Sequence, residues 1–317
     1  MAALKRVFKI AEPQYFFQPL QILKRLLPAP GRASADLQHV RLPWGHELEV
    51  NPREAIGQAL IRQGLYDAVV TETLWRLTRP GDLAVDAGAN IGYFASLLAA
   101  RAGAAGRVVC FEPHPEVFRR LDSNMARCGK AHGAQVTVHR AALAAYDGEG
   151  ILQTPAYFAG NEGTSFLAAD AGSPAPGSAQ SVAVSALDTV IAGSDAIGIV
   201  KLDVQGGELG VLQGMSRLLR QRRVRHIVFE EEGDYPAPTH GFLRALGYAV
   251  FGLEQRFSGV ACVEDRRPRT DAVSGPPPNY LATLAPEETR RRVERGVWQS
   301  FGFARRFARN DSIGRVP

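Results

Sequence analysis

The chain has 317 residues, 45% of them hydrophobic, which is enough for one substantial core of about 200 residues with flanking segments. Its formal charge of +5 comes from 37 basic against 32 acidic residues in mixed-sign surroundings, a balance that suits a solvated surface or an anionic substrate and gives no reason to expect nucleic acid. Cys110, Cys128 and Cys262 lack CxxC or Cys/His spacing, which argues against a disulfide framework and a zinc site; no apolar run near 18 residues opens the chain, so a cytoplasmic protein without a transmembrane segment is expected.

Residues 1–65 read as an extension of helix and loop, interrupted by PAPG at 28–31 and by Pro43 and Pro52. An amphipathic membrane-surface helix at 19–27 competes there with a helix packed on the main domain. YDAVVTETLWRLTR at 66–79 has a helical apolar period that ends at Pro80-Gly81. From Asp82 the pattern predicts a strand at 83–86, a helix at 91–101, a strand at 107–112, a helix at 115–127 and a strand at 135–139. It lapses at about 144–186 into a polar insertion rich in β or loop character. Alternation resumes with a strand at 197–204, a helix at 207–220, a strand at 224–230, a helix at 239–246 and an apolar segment at 248–253. NYLATLA at 279–285 is a final strand, reached by a hairpin-like return. The main domain is therefore 66–286, and 287–317 is a basic tail that lies on it or meets a partner. Strands alternating with helices define an open, mostly parallel α/β sheet with helices on both faces.

LAVDAGANIG at 83–92 is a strand running into a glycine turn and then a helix. Glycines there permit a sharp turn and close approach of a ligand. The turn lacks the full G-x-G-x-x-G pattern and the lysine of a P-loop, so pyrophosphate is not indicated. Glu112 lies 24 residues beyond Gly88 at the end of the next strand, where a carboxylate can accept hydrogen bonds from both ribose hydroxyls. Asp86 would attract an amino or sulfonium group and repel a pyrophosphate. Together they favour S-adenosylmethionine over NAD. His114 in EPHP is placed beside the adenine or ribose, and His139, closing the third strand, beside the cofactor or in a base role. His226, inside a strand, is read as structural.

A second acidic cluster follows in KLDVQGGELGVL. Lys201 and Asp203 share a strand face, Glu208 opens the next helix, and the next strand ends in Glu230-Glu231-Glu232. Strand ends and the loops after them are where open α/β sheets hold ligands. Three roles stay open: a carboxylate that takes the proton of an acceptor hydroxyl, a pair or trio that binds Mg²⁺, or a set that organises the loop by charge and hydrogen bonding. Asn161-Glu162-Gly163-Thr164-Ser165 in the insertion either closes over the site or forms a surface turn.

GDLAVDAGANIGYF at 81–94, FEPHP at 111–115, ALDTVI at 186–191, KLDVQGGELGVLQG at 201–214 and IVFEEE at 227–232 together resemble the FkbM-type methyltransferases, over roughly 65–235. The resemblance implies a class I methyltransferase fold, a Rossmann-like sheet of seven strands with the last antiparallel. It also implies S-adenosylmethionine-dependent methyl transfer to a hydroxyl of a sugar, polyketide or other secondary metabolite. On that pattern Asp86, Gly88, Asn90 and Gly92 surround the methionine part, Glu112 takes the ribose, and Asp203 and Glu208 lie nearest the transfer site. Gln205 stands where the family commonly has Glu. Competing readings are an N-methyltransferase, an NAD(P)-dependent oxidoreductase and a non-catalytic α/β interaction module. A small-molecule acceptor is the expected partner, and a second copy of the chain stays open.

Overall fold

The structure is a computed structural model, and it describes residues 36–132, 134–168, 177–191, 193–231, 235–264 and 278–301. The membrane-surface helix considered at 19–27 and Glu232 lie outside the described residues. No helix among the described residues is long and apolar enough to cross a membrane.

The central sheet contains β3 (Leu83–Ala87), β4 (Arg107–Phe111), β5 (Gln135–His139), β10 (Ile197–Leu202), β11 (Val224–Glu230), β12 (Ala249–Arg256), β13 (Gly259–Val263) and β14 (Asn279–Thr283), in the order β13-β12-β14-β11-β10-β3-β4-β5. β5, β4, β3, β10 and β11 run parallel. β14 is antiparallel to both β11 and β12. The chain order thus reverses between β3 and β10, which is where an open α/β sheet forms its ligand crevice.

The expected seven strands are eight. Arg256 pairs with Gly259 across a two-residue turn, so β12 folds back on itself as a hairpin and β13 becomes an extra edge strand. The helix α9 (Pro286–Glu294) packs on that edge, and β13 is buried along its whole length.

Alternation along the strands sorts the core into two layers. Ala84, Val108, Ile199, Val228 and Leu281 face one cluster with α2 (Ala68–Leu77), α3 (Tyr93–Ala102) and α4 (Pro115–His132). Val85, Val200, Ile227 and Ala282 face the other, with α6 (Glu208–Gly214), α7 (Ser216–Arg220) and α8 (Pro238–Ala245). The helix expected over 207–220 is interrupted at Met215, which separates α6 from α7.

Residues 36–65 differ from the helical and loop extension that the sequence suggests. β1 (Gln38–Arg41) and β2 (Glu47–Val50) form an antiparallel hairpin, followed by α1 (Ala55–Gln63). Leu42, Trp44, Leu48, Val50, Ile56 and Leu60 are buried in the first core layer. Trp44 Nε1 donates to Ser96 Oγ on α3 at 3.1 Å. Asn124 on α4 accepts from the Glu49 amide at 2.9 Å and donates to the Ile91 carbonyl at 2.8 Å, tying the hairpin to the glycine turn.

The start of the basic tail is also part of the core. Trp298 is fully buried and stacks on Phe301 with ring centroids 4.9 Å apart. The fully buried Glu72 of α2 accepts from the amides of Gln299 and Ser300. Residues 302–317 lie outside the described residues.

The insertion is a second sheet, in the order β6-β9-β7-β8, with β6 (Ala142–Leu143), β7 (Gly148–Pro155), β8 (Phe166–Leu167) and β9 (Gly177–Ser185). β9 leads through the short helix α5 (Leu187–Val190) into β10.

Candidate active site

A cleft of about 820 Å³ opens over the carboxyl ends of β3, β4, β10 and β11 and the amino end of the antiparallel β14. Its size is toward the upper end of small-molecule sites, on the order of 300–1,000 Å³. One end is formed by Gly88, Asn90 and Glu112, the other by Asp67, Glu230 and Asn279, with Lys201 and Asp203 between them.

The glycine turn is held from behind. Gly88 and Ala89 donate their amides to the Phe111 carbonyl at 3.0 and 2.9 Å. Gly88 has φ 75°, and a Cβ on it would lie 1.9 Å from the Asp203 carbonyl oxygen, so only glycine lets the ends of β3 and β10 come this close. Glu112 is 7% exposed and accepts from the Asn90 amide at 3.0 Å and the His114 amide at 2.9 Å, one on each carboxylate oxygen. The carboxylate is thereby fixed while keeping lone pairs free for a pair of ligand hydroxyls. Burial raises its pKa to about 7, against the pull of those two amides.

Asp86 and Lys201 are partners in the register of the adjacent strands β3 and β10. Both are buried; Lys201 Nζ is 3.5 Å from Asp86, 3.3 Å from Asp203 and 3.1 Å from the Gly88 carbonyl oxygen, and it sits 5.0 Å from the centroid of Phe94. Burial raises the Asp86 pKa to about 6 although Lys201 opposes it. Burial works to lower the Lys201 pKa, but Asp203 and Asp86 outweigh it and hold the ammonium charged. Asp203 also accepts from Gln205 Nε2 at 2.9 Å.

The remaining residues singled out in the sequence divide between cleft and scaffold. Gly88, Asn90, Glu112, Asp203 and Glu230 line the cleft; Asp86, Gly92, His114, His139 and Glu208 do not. Gly92 backs onto α4, where a Cβ would meet Met125 Cε at 2.5 Å. His139 stacks behind Phe111 with centroids 4.9 Å apart, which places it off the cleft and away from the base role considered for it. His114 stacks on Phe158 of the insertion at 4.4 Å. Glu208 is 3% exposed and accepts from the Val204 amide at 3.1 Å, so its contact is with the loop after β10. His226 is bonded to Thr283 Oγ1 at 3.0 Å inside the sheet, and burial lowers its pKa to about 3. Glu231 turns to the Thr239 hydroxyl.

Glu230 has a different environment. Its side chain faces the cleft and has no hydrogen bond or ion pair among the described residues. Burial, followed by the nearby charges of Asp203 and Asp67, raises its pKa.

Three cleft residues carry no local sequence signal. Tyr66 and Asp67 stand before α2, and Asn279 begins β14. The insertion supplies a wall through 161–167. Glu162 anchors it, accepting from Asn51 Nδ2 at 3.1 Å and pairing with Arg120 of α4. The three cysteines are free and buried. Among the described residues no group of three or more His, Cys, Asp or Glu side chains is arranged to hold a metal ion, and Asp203 is engaged by Lys201 and Gln205; the Mg²⁺ expectation finds no support.

A reversed parallel sheet, a glycine turn at its switch point and a fixed carboxylate on the neighbouring strand end define a nucleoside-cofactor enzyme of the α/β class. The sequence profile described as the methyltransferase FkbM domain matches residues 86–250, just over half of the chain. The chain therefore belongs to the FkbM methyltransferase family, with residues 86–250 as its methyltransferase domain.

A curated relative, the AMB antimetabolite synthetase AmbE of Pseudomonas aeruginosa, is 29% identical over 247 residues, covering 65% of this chain; the chain spans only 11% of that protein's length. Among solved structures, an S-adenosylmethionine-dependent O-methyltransferase of Thermotoga maritima is 14% identical, covering 78% of this chain and 77% of its own, with a TM-score of 0.39. Fibrillarin of Aeropyrum pernix, with natively bound S-adenosyl-L-methionine, is 13% identical, covering 80% of this chain and 85% of its own, with a TM-score of 0.36.

Proposed function

We propose that the chain methylates a hydroxyl of a small metabolite, a sugar or polyketide alcohol, and that Glu230 is the group that receives the hydroxyl proton. The observation that carries this reading is the Glu230 carboxyl, without a hydrogen bond or ion pair among the described residues, in the same cleft as the fixed Glu112 carboxylate.

The residues fit S-adenosylmethionine. Glu112 would take the two ribose hydroxyls, Gly88 and Asn90 the methionine part, and Lys201 would hold Asp86 and Asp203 in place beneath it. The bound cofactor supplies an already activated methyl group on a positively charged sulfur. With the cofactor bound, the acceptor oxygen would take the methyl group, the sulfur would keep the pair of the broken S–C bond, and Glu230 would take the hydroxyl proton. The protein's contribution is alignment and proton removal, with little covalent chemistry of its own. A raised pKa makes the ionised carboxylate the stronger base for an alcohol but keeps part of it protonated at neutral pH, so transfer should quicken as pH rises. A neutral amine acceptor would attack through its own lone pair and would need less help from a base than a hydroxyl does. The likeness to an antimetabolite synthetase is consistent with a small-metabolite acceptor.

The test is incubation of the protein with methyl-labelled S-adenosylmethionine and a metabolite extract, followed by identification of the labelled product. A methyl ether supports the reading, and a methylated nitrogen overturns it. Calorimetry with S-adenosylhomocysteine should show saturable binding that weakens by roughly ten- to a hundredfold in Glu112→Ala, which removes a carboxylate with two charge-assisted bonds available to the ligand.

A further inference from the structure

Glu230 and Asn279 are directly opposite in the antiparallel β11–β14 pair, so their side chains leave the same face of the sheet. Nδ2 of Asn279 donates to Oδ2 of Asp67 at 3.0 Å. Oδ1 of Asp67 accepts from the Val70 amide at 3.0 Å and caps α2. Both oxygens of Asp67 are thus engaged, and the residue is held at φ 35°, a left-handed conformation that few non-glycine residues adopt. The aspartate is held in place, its two hydrogen bonds opposing the rise in pKa that burial causes, whereas the Glu230 carboxyl at the same end of the cleft has no hydrogen bond or ion pair among the described residues.

The titratable and charged groups around Glu230 come from three other elements. β10 and the loop after it bring Lys201 and Asp203, the approach to α2 brings Asp67 and the Tyr66 phenol, and α6 brings Glu208. Asn279 from β14 is uncharged, and Glu231 on its own segment turns to Thr239. Lys201 is the one cation in this set, and it is shared between Asp86, Asp203 and the Gly88 carbonyl. Carboxylates therefore outnumber cations at this end of the cleft.

We propose that Asp67 is a positioning residue that sets how firmly Glu230 holds a proton, and through it the preference of the cleft for the charged cofactor over its neutral product. This rests on the reading of Glu230 as the proton acceptor. S-adenosylmethionine carries a positive sulfur, and S-adenosylhomocysteine does not. An ionised Glu230 attracts the first and is indifferent to the second. Loading of the cofactor favours loss of the Glu230 proton; methyl transfer removes the positive charge and returns a proton from the acceptor. The fixed charge of Asp67 makes that protonated state persist, so the spent cofactor leaves a cleft that no longer distinguishes it.

The test needs no acceptor. Dissociation constants of S-adenosylmethionine and S-adenosylhomocysteine are measured by calorimetry from mildly acid to mildly alkaline pH. In the unaltered protein the preference for S-adenosylmethionine should rise with pH, by roughly tenfold across the transition. Glu230→Gln should remove most of the rise and leave only what Asp86, Glu112 and Glu208 contribute at lower pH. Asp67→Asn, which keeps a side chain able to cap α2, should move the rise to lower pH with S-adenosylhomocysteine affinity unchanged. Asp67→Ser, another capping residue without charge, should do the same and serves if the first variant fails to fold. A rise at the unaltered pH in the folded Asp67 variants overturns the role of Asp67 and leaves Glu230 standing as the acceptor. A rise of undiminished size in Glu230→Gln overturns both.

Discussion

The Cβ that Gly88 lacks would lie 1.9 Å from the backbone oxygen of Asp203, so the cofactor turn and the acidic loop are in van der Waals contact through their main chains. The same φ of 75° that closes the turn is costly for any side chain. Gly88→Ala should destabilise the protein by about 2–4 kcal/mol and weaken S-adenosylhomocysteine by more than about tenfold, because β3 and β10 must separate where the ligand binds. Gly92→Ala is the contrast: its clash is with the flexible end of Met125, away from the cleft. It should cost about 1–3 kcal/mol with affinity nearly retained. Thermal unfolding and calorimetry on the two variants separate these effects.

Glu208 links pH to stability. Burial holds its pKa at about 7, above the ordinary 4.5. Its stabilising contribution is complete below about pH 4.5 and is lost as pH rises through about 7. Glu208→Gln keeps an oxygen to accept from the Val204 amide and removes the titration. Between those pH values the unaltered protein should lose stability relative to the variant by up to about 1.4 kcal/mol per pH unit. Denaturant unfolding across the window measures the difference, in which the titrations of Asp86 and Glu112 cancel.

Glu162 joins the insertion to both α4 and the segment after β2, through Arg120 and Asn51. Its side chain is 9% exposed, so truncation leaves the Arg120 guanidinium short of a partner. Glu162→Ala should cost about 1–3 kcal/mol and open the wall at 161–167 to proteolysis. S-adenosylhomocysteine should restore protection only in part, and mass spectrometry of the cleavage sites would show whether the cuts fall in this segment.

Trp298 lies past the point where the sequence reads as a basic tail. It is fully buried, stacks on Phe301 and donates through Nε1 to the Phe257 carbonyl at 2.8 Å. Trp298→Ala should cost about 3–5 kcal/mol, visible as a lowered denaturation midpoint. Truncation before α9 should therefore fail to give a folded protein, whereas removal of 302–317 leaves all of these contacts in place.

Much of the α/β architecture was legible because its signals are local. Apolar alternation located β3, β4, β5, β10 and β11, and the glycine turn followed by Glu112 at a strand end pointed to one end of the cleft that the structure forms. The hairpin of β1 and β2 was not legible: four-residue strands interrupted by Pro43 have too short a period to tell from a loop. β13 is buried along its whole length and so shows no alternation to mark it, and the eighth strand was missed with it.

The residues themselves determined which chemistry could be present: Asp86, Glu112, Asp203 and Glu230 follow strand ends, and strand ends of such a sheet share one crevice. Which carboxyl is free to act was decided only by tertiary structure. Lys201 meets Asp86 because adjacent strands fall in that register, Glu208 turns to its own loop, and Asp67 and Asn279 come together from 212 positions apart. Periodicity reports the face on which a side chain leaves its element, but the partner waiting there depends on packing of distant segments, which no local pattern encodes.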